Sequence, residues 1–368
     1  ASRAVIVLVA GLWPGVTEIG RTRFLGETLL GWAAFILMWA LQLLLLRKGM
    51  ETIRRFQDWA GPAVWVVMLI LTVYVLKLAG WRISFDLAST PSQWGTAHAV
   101  LAGVSLTVAY FATLMLNFCD FSRFSPSRKA VWLANLWGLP VNFIAFSVVS
   151  VLVTAGSMQI YGEYIFDPVD LVARLDHPVA IVLGAITFTV ATLGINVVAN
   201  FVSPAYDLAN AWPSRITFQR GGVISACIAL VMTPWNLFNS PFIINVFLAA
   251  LGAVLGPLFG IIIADYFILR RQRVQVSELF RARGAHSFDN GWNMRAVWAF
   301  IIASIPSILV AVVQVDFCRF LSPFSWFIGA GLGLIIHLLI SRNDPHIAQA
   351  LAQAAAVDLD ADRDSVAR

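Results

Sequence analysis

Two asparagine side chains have the type and spacing best suited to binding a polar ligand. Asn196 and Asn200 lie four residues apart in an apolar stretch that begins at Val179, so a helix places both on one face. We predict that Ser203-Pro204 ends this helix, because proline lacks an amide donor and clashes with the preceding turn. An amide in hydrocarbon is costly unless it is hydrogen-bonded, so the pair either joins this helix to its neighbours or binds a ligand. A pair on one face just before a helix end favours the ligand site.

The composition is that of an integral membrane protein. Of the 368 residues, 59% are hydrophobic and 12% are charged, which is about half the charged content of soluble domains. Cys119, Cys227 and Cys318 lack metal-ligand spacing, so we interpret them as small apolar side chains. The net charge of +5 comes from basic residues in short loops between apolar runs, a pattern typical of a topology signal. We therefore expect a lipid bilayer as the surroundings, no nucleic-acid partner and no enzymatic activity.

Nine apolar runs are long enough to cross a bilayer, which needs about 20 residues at a rise of about 1.5 Å each. They are Leu25 to Leu46, Ala60 to Ala79, Ala97 to Cys119, Ala130 to Ala155, Val179 to Val202, Gly221 to Phe238, Phe242 to Leu269, Ala296 to Val315 and Phe324 to Ile340. The opening run, Ala4 to Trp13, is too short to span and does not match a cleavable signal. The sequence thus predicts an all-α polytopic membrane protein.

Lysine and arginine in the loops predict the orientation. With the loop Arg47 to Arg55 in the cytoplasm, that side carries 18 basic residues and the other side carries 5. The positive-inside rule assigns the side with more basic residues to the cytoplasm. The acidic loop Gly156 to Pro178 then lies outside. We expect a multi-pass protein of the cell membrane with a cytoplasmic C-terminus.

A second candidate site segment runs from Gly103 to Phe111. It contains Gly103 and Ser105 and ends in Tyr110-Phe111. Glycine and hydroxyl side chains weaken a helix locally, and broken helices near the midplane expose backbone groups to substrate in secondary transporters. The alternative is a glycine at a helix crossing, with aromatic rings that fill the core.

Two other sets of residues favour structural roles. Gly252, Gly256 and Gly260 have four-residue spacing, which predicts a flat face for close helix packing. Ionisable side chains are nearly absent from the span centres; we interpret terminal histidines such as His98 and His337 as interface residues. No chain of proton-carrying groups is evident.

Several motifs resemble the nucleobase:cation symporter-1 family, and the resemblance covers nearly the whole chain. They are NVVANFVSPAYDLAN (196–210), ATLMLNFCDFSRF (112–124), GPLFG (256–260), ADYF (264–267), NMRAV (293–297) and GMETIRRFQDWAGPAVW (49–65). The family implies a LeuT-type fold of twelve helices, ten of which form two inverted repeats. It also implies a permease for a nucleobase or related heterocycle or ureide, such as allantoin, uracil, cytosine or hydantoin, that works by alternating access.

Against the family pattern, the nine spans resemble helices four to twelve. Residues 1–24 resemble a remnant of the third helix and the outer loop after it, so we expect an N-terminally truncated member. Residues 25–341 form the transmembrane transporter domain, and residues 342–368 form a cytoplasmic tail that is partly disordered.

The resemblance implies roles for individual residues. Asn200 matches the family's substrate-binding asparagine on helix eight, with Asn196 beside it. Phe111 lies at or near an aromatic position on helix six, next to Tyr110 and in the segment that starts at Gly103. These roles agree with the residue types, because amides hydrogen-bond a lactam or ureide edge and an aromatic face stacks on a planar heterocycle.

The same comparison addresses the coupling ion. In sodium-coupled hydantoin carriers of the family, helix eight supplies one backbone carbonyl and two hydroxyl side chains. The matching positions are Ala191 for the carbonyl and Gly194 and Ile195 for the hydroxyls, so both side-chain oxygens are lost. Because sodium needs a shell of oxygens, we expect sodium-independent transport with no cofactor. Proton coupling and facilitated diffusion both remain open.

Two alternatives from other classes stay open. One is an amino-acid or amine carrier of the same fold, which would need a charged partner or a helix end for its substrate. The other is a non-transporting fragment whose folded core persists without a complete site. The sequence carries no signal for an oligomeric state.

Overall fold

The chain folds into two mainly helical units. The computed structural model describes residues 2–13, 15–16, 22–83, 93–175, 178–238, 240, 242–274, 278–279, 281, 284, 287–288 and 291–352. Unit 1 comprises Ala1–Ser89 and Asn117–Asn239, and unit 2 comprises Thr90–Leu116 and Ser240–Arg368. The predicted disorder at the end of the tail lies outside the described residues.

Helices account for nearly all the secondary structure. In chain order they are α1 (Ser2–Leu12), α2 (Leu29–Arg47), α3 (Met50–Leu78), α4 (Gly95–Leu116), α5 (Phe118–Ser122), α6 (Arg128–Leu136), α7 (Asn142–Tyr161), α8 (Pro168–Ala173), α9 (Pro178–Asn196), α10 (Ser203–Ala211), α11 (Phe218–Val231), α12 (Pro234–Phe238), α13 (Leu248–Ile263), α14 (Met294–Val312), α15 (Asp316–Leu321) and α16 (Ser325–Ser341). π-Helical segments occur at Trp137–Val141, Val197–Val202, Ile243–Phe247 and Ala264–Leu269, and a 3₁₀ turn at Ser322–Phe324. Strands β1 (Arg23–Phe24) and β2 (Glu27–Thr28) form an antiparallel hairpin with Arg23 opposite Thr28.

Local sequence explains where several helices start. A polar side chain accepts a hydrogen bond from a backbone N–H of the first turn at Thr28 for α2, Ser127 for α6, Asp167 for α8, Thr217 for α11 and Asn293 for α14. Such caps satisfy backbone donors that have no partner inside the helix.

Eight helical segments among the described residues are long and apolar enough to cross a membrane. They are Leu29–Arg47, Met50–Leu78, Gly95–Leu116, Arg128–Tyr161, Gly184–Ala211, Leu248–Leu269, Met294–Val312 and Asp316–Ser341. Each overlaps one of the nine predicted spans. The prediction of a polytopic helical membrane protein is therefore confirmed.

The remaining predicted span, Gly221 to Phe238, is wrong as a continuous helix. Helix α11 ends at Val231, and a separate helix, α12, begins at Pro234. Thr233 lies between them with a φ of 42°, a conformation that is strained for a β-branched residue. Proline also disfavours helical backbone in the residue before it, so Thr233-Pro234 breaks the apolar run.

The predicted helix end at Ser203-Pro204 is also wrong. The chain stays helical through the π-helical segment Val197–Val202 and then α10. Pro204 lies in the first turn of α10, where its missing N–H leaves the carbonyl of Asn200, four residues earlier, without an α-helical donor. The wider π-helical turn before it accommodates the proline without a break.

The predicted discontinuity between Gly103 and Phe111 does not occur, because α4 is helical from Gly95 to Leu116. The hydroxyl of Thr107 donates to the carbonyl of Gly103 over 2.9 Å, so it is satisfied within an intact helix. A methyl group added at Gly103 would meet no atom within 4 Å. Gly103 therefore marks neither a break nor a close helix crossing among the described residues.

Glycines in unit 2 allow α13 and α16 to approach closely. A Cβ added at Gly256 would overlap the carbonyl oxygen of Trp326, and one at Gly260 would overlap that of Ala330. Backbone therefore packs directly on backbone, as small residues at helix crossings permit. The prediction is confirmed for these two glycines and wrong for Gly252, where an added Cβ meets nothing within 4 Å.

A buried cluster in unit 1 supports the segment that carries Asn200. Leu46 of α2, Ile53 of α3, Val197 and Val202 of the π-helical segment and Ala226 of α11 pack together. All five side chains are at most 3% exposed. Burial of such side chains is the main stabilising term in packing, so this segment is held on two sides by fixed helices.

Candidate functional site

The two predicted asparagines belong to a chain of three hydrogen-bonded amides, which we call the amide chain. Asn200 Nδ2 donates to Asn196 Oδ1 over 2.5 Å, and Asn196 Nδ2 donates to Gln42 Oε1 over 2.8 Å. The prediction that Asn196 and Asn200 share one face is thus confirmed. Asn196 also joins α9 to α2, as the helix-joining alternative required.

Gln42 was not predicted from the sequence. It lies in α2 and is 5% exposed. The available signal was its place as a single amide in the run LQLLLL (41–46), since a polar side chain in an apolar span marks a partner or a function. Its partner is 154 positions away along the chain, a separation across which sequence periodicity carries no information.

The π-helical segment Val197–Val202 presents Asn200. Pro204 lacks the N–H that an α-helix would donate to the carbonyl of Asn200 four residues earlier, so an α-helical bond is missing at this point. π-Helical turns of this kind occur frequently at functional sites. Val197 and Val202 are 1% and 0% exposed, which fixes the segment at both ends.

Asn200 itself remains available to a ligand. Its side chain is exposed on unit 1, and Oδ1 accepts no hydrogen bond from any described residue. Because Nδ2 faces Asn196 and uses one of its two N–H groups there, Asn200 offers its carbonyl oxygen together with one remaining N–H. Such an oxygen binds an N–H donor, which lactams and ureides carry.

The two positions at which the family pattern has hydroxyl side chains differ in their burial. Ile195 is 66% exposed. Gly194 is buried, and a Cβ there would lie 3.0 Å from Gln57 Nε2 and 3.3 Å from Phe56 Cε1. The nearby Thr192 hydroxyl donates to the carbonyl of Phe188 over 2.7 Å. The sodium interpretation, with the Ala191 carbonyl, stays a prediction.

Unit 2 carries the predicted aromatic pair. Tyr110 is 74% exposed and Phe111 is half-buried. Their ring centroids are 5.2 Å apart at an interplanar angle of 86°, an edge-to-face contact. The structure thus joins Asn196 and Asn200 through hydrogen bonds in unit 1, and it joins Tyr110 to Phe111 in unit 2.

The interpretation of His337 as an interface residue is wrong. Its side chain is fully buried in unit 2, with Nε2 3.7 Å from Asp265 Oδ1 and Nδ1 3.3 Å from Ser341 Oγ. Asp265 Oδ2 also accepts from Arg270 Nε over 2.7 Å. Burial follows from the spacing: Gly329, Gly333, His337 and Ser341 recur every four residues, so His337 lies on the glycine face that packs against α13.

Two of the sequence motifs meet in unit 1. Asp120 of α5 is 7% exposed and accepts from Arg123 Nη2 over 2.7 Å. The guanidinium carbon of Arg123 lies 4.5 Å from the ring centroid of Tyr206 in α10, a cation–π contact. This contact anchors α10 directly after the segment that presents Asn200.

Fold and site together define a polytopic helical membrane protein with a polar amide site inside its apolar helices. The chain belongs to the family of permeases for cytosine/purines, uracil, thiamine and allantoin, whose profile matches residues 1–329. The predicted family resemblance is therefore confirmed, and the protein is a membrane transporter.

Individual relatives agree with this assignment. The chain is 38% identical over 352 residues to the allantoin permease of Bacillus subtilis (strain 168), covering 94% of this chain and 70% of that protein. It is 27% identical to a putative allantoin permease of Escherichia coli (strain K12), covering 93% and 71%. It is 29% identical to the hydantoin permease of Microbacterium maritypicum, covering 74% and 57%.

A solved structure shows the same fold. It is that of Mhp1, a nucleobase-cation-symport-1 family transporter, in a closed conformation with bromovinylhydantoin bound. The TM-score is 0.67 at 24% identity, covering 96% of this chain and 77% of that chain. The predicted LeuT-type transporter fold is thereby confirmed.

Proposed function

We propose that this protein carries allantoin, or a closely related planar heterocycle or ureide, across the cell membrane by alternating access. The observation that carries the proposal is the free carbonyl oxygen of Asn200 at the end of the amide chain. A neutral acceptor suits the N–H groups of a ureide or lactam, whereas an ammonium group in an apolar site needs an opposite charge or a helix end beside it. The allantoin permease at 38% identity supports the same substrate class.

Other predicted residues have roles that rest on the family resemblance. Phe111 supplies an aromatic face for the substrate ring, with Tyr110 and Gly103 beside it on α4. Asn196 holds Asn200 and contributes to the polar site.

Uptake of labelled compounds tests the proposal against its rivals. A host without its own carriers would express the protein and receive allantoin, hydantoin, uracil, cytosine or leucine. We expect saturable uptake of allantoin that unlabelled hydantoin inhibits and leucine does not. Uptake of leucine alone would establish the amino-acid carrier instead. Uptake of none of the five, by protein shown to be in the membrane, would indicate a non-transporting chain.

Replacing sodium tests the coupling ion. We expect uptake to be unchanged when choline replaces sodium at fixed pH, because Gly194 and Ile195 supply no side-chain oxygen where the ion would need two. The measurement is the initial rate of allantoin uptake over a series of sodium concentrations. A steep sodium requirement would contradict the assignment of these two positions.

Accessibility of single cysteines tests the orientation. With Cys119, Cys227 and Cys318 replaced by serine, Glu163→Cys should react with a membrane-impermeant maleimide in intact cells. Pro126→Cys should react only after lysis, because the basic loop around it is predicted to be cytoplasmic. The opposite pattern would invert the proposed topology and the proposed cytoplasmic C-terminus.

A further inference from the structure

We propose that Gln42 is a positioning residue that turns the Asn200 amide so that its oxygen, and not its NH₂ group, faces the ligand. The inference rests on the proposed function, because it assigns the orientation of the same site. Gln42 contacts Asn196 and acts through it. No direct contact with the ligand is required of it.

The environment of Gln42 makes its hydrogen bond costly to lose. It is 5% exposed in a membrane-spanning helix whose neighbouring positions are leucines. Burial of an amide in such surroundings costs several kcal/mol unless a hydrogen bond compensates for the lost solvation. Its Oε1 accepts from Asn196 Nδ2 over 2.8 Å. The amide chain therefore ends at a buried acceptor, the Gln42 oxygen.

Each hydrogen bond of the amide chain then restricts the orientation of the next amide group. An amide side chain can exchange its oxygen and nitrogen by a half-turn, and in isolation the two orientations are equivalent. Here Asn196 uses its nitrogen toward Gln42, so its oxygen must face Asn200. Asn200 donates a hydrogen bond from its nitrogen to this oxygen over 2.5 Å. Turning Asn200 alone would place its oxygen against the oxygen of Asn196, and the repulsion between the two acceptors opposes the turn.

The platform under Gln42 is rigid. One turn after it, Leu46 is fully buried against Val197 and Val202. Before it, Trp39 Nε1 donates to the carbonyl of Ala226 over 2.9 Å. Contacts on both sides of Gln42 thus hold α2, against α11 through Trp39 and against the segment that carries Asn200 through Leu46. The packing of α2 consequently sets the position of the Gln42 side chain beside Asn196.

This arrangement predicts a preference that can be measured. An oxygen at Asn200 recognises a ligand N–H, so methylation of the contacted nitrogen should weaken binding about tenfold, as expected for one unmet hydrogen bond. Without Gln42 the two asparagines can turn, and Asn200 can instead donate to a ligand carbonyl. The penalty for N-methylation should then largely disappear.

The experiment compares dissociation constants of purified protein for hydantoin, N1-methylhydantoin and N3-methylhydantoin. In the wild type, we expect discrimination against at least one methylated ligand. Gln42→Met keeps the shape of the side chain but removes the acceptor, so the ratio of the dissociation constants should fall toward one. Gln42→Glu retains an acceptor oxygen and should preserve the ratio. Thr72→Val, which removes another buried polar group of unit 1 outside the amide chain, should leave the ratio unchanged.

The outcomes are separable. If Gln42→Met weakens binding of all three ligands equally, Gln42 only joins helices and the inference is wrong. If Gln42→Met does not fold, the ratio of the dissociation constants is measured for Gln42→Leu instead. A ratio in Gln42→Leu equal to that of the wild type would also refute the inference. Wild-type protein that binds neither these three ligands nor allantoin would overturn the proposed function itself, which distinguishes that failure from a failure of the orientation.

Discussion

Replacing Gly260 by alanine should prevent unit 2 from folding stably, whereas the same change at Gly252 should be tolerated. A Cβ at Gly260 would overlap the carbonyl oxygen of Ala330 and lie 2.8 Å from the amide nitrogen of Leu334. Both atoms belong to the backbone of α16, so no side-chain rotation relieves the overlap. Overpacking of a core usually costs about 1–3 kcal/mol, and a clash with fixed backbone should exceed that range.

The measurement is the thermal stability and yield of each variant by size-exclusion chromatography in detergent. Gly252 lies on the same helix, and a Cβ there meets nothing within 4 Å, so Gly252→Ala controls for the loss of a helical glycine. Alanine is also the better helix former, which makes unchanged or higher stability the expected result at Gly252. Equal stability of the two variants would show that α13 and α16 do not pack through Gly260.

Replacing Asn200 has the largest expected effect on transport. Asn200→Ala should weaken substrate binding by about 1–3 kcal/mol, or roughly 5- to 150-fold, because one partner of a hydrogen bond is left unmet. Asn200→Asp should be worse. An aspartate would place a carboxylate oxygen against Asn196 Oδ1, where Nδ2 now donates over 2.5 Å, and it would add a charge inside the apolar segment.

Initial rates of uptake over a range of substrate concentrations would measure both variants. Asn210→Ala is the matched control, since Asn210 is an exposed asparagine at the end of the same motif and is not part of the amide chain. It should behave as wild type. If both Asn200 variants transported normally, the asparagine would be a helix-joining residue and the proposed site would lie elsewhere.

The sequence predicted the features that depend on residue type and local spacing. Apolar length located the spans, and the four-residue spacing of Asn196 and Asn200 placed them on one face. Close packing at Gly256 and Gly260 followed from the same kind of pattern. The family motifs added the transporter fold, which the solved relative confirms.

The errors have identifiable physical causes. Pro204 was expected to end a helix, but the chain forms a π-helical turn before it and continues as a helix. Thr233-Pro234 breaks a run that looks continuous by hydropathy alone. His337 was judged as a single residue, although its four-residue spacing from Gly333 placed it on a packed face. Gln42 could not be assigned, because its partner is fixed only by the tertiary packing of α2 on α9.

Counterflow in reconstituted vesicles tests the central claim most directly. Purified protein would be placed in vesicles loaded with unlabelled allantoin, and labelled allantoin would be added outside at low concentration. The proposed function predicts transient accumulation of label, which hydantoin suppresses and Asn200→Ala greatly reduces. Accumulation driven by leucine and not by allantoin or hydantoin would contradict the claim that this protein carries a planar heterocycle or ureide.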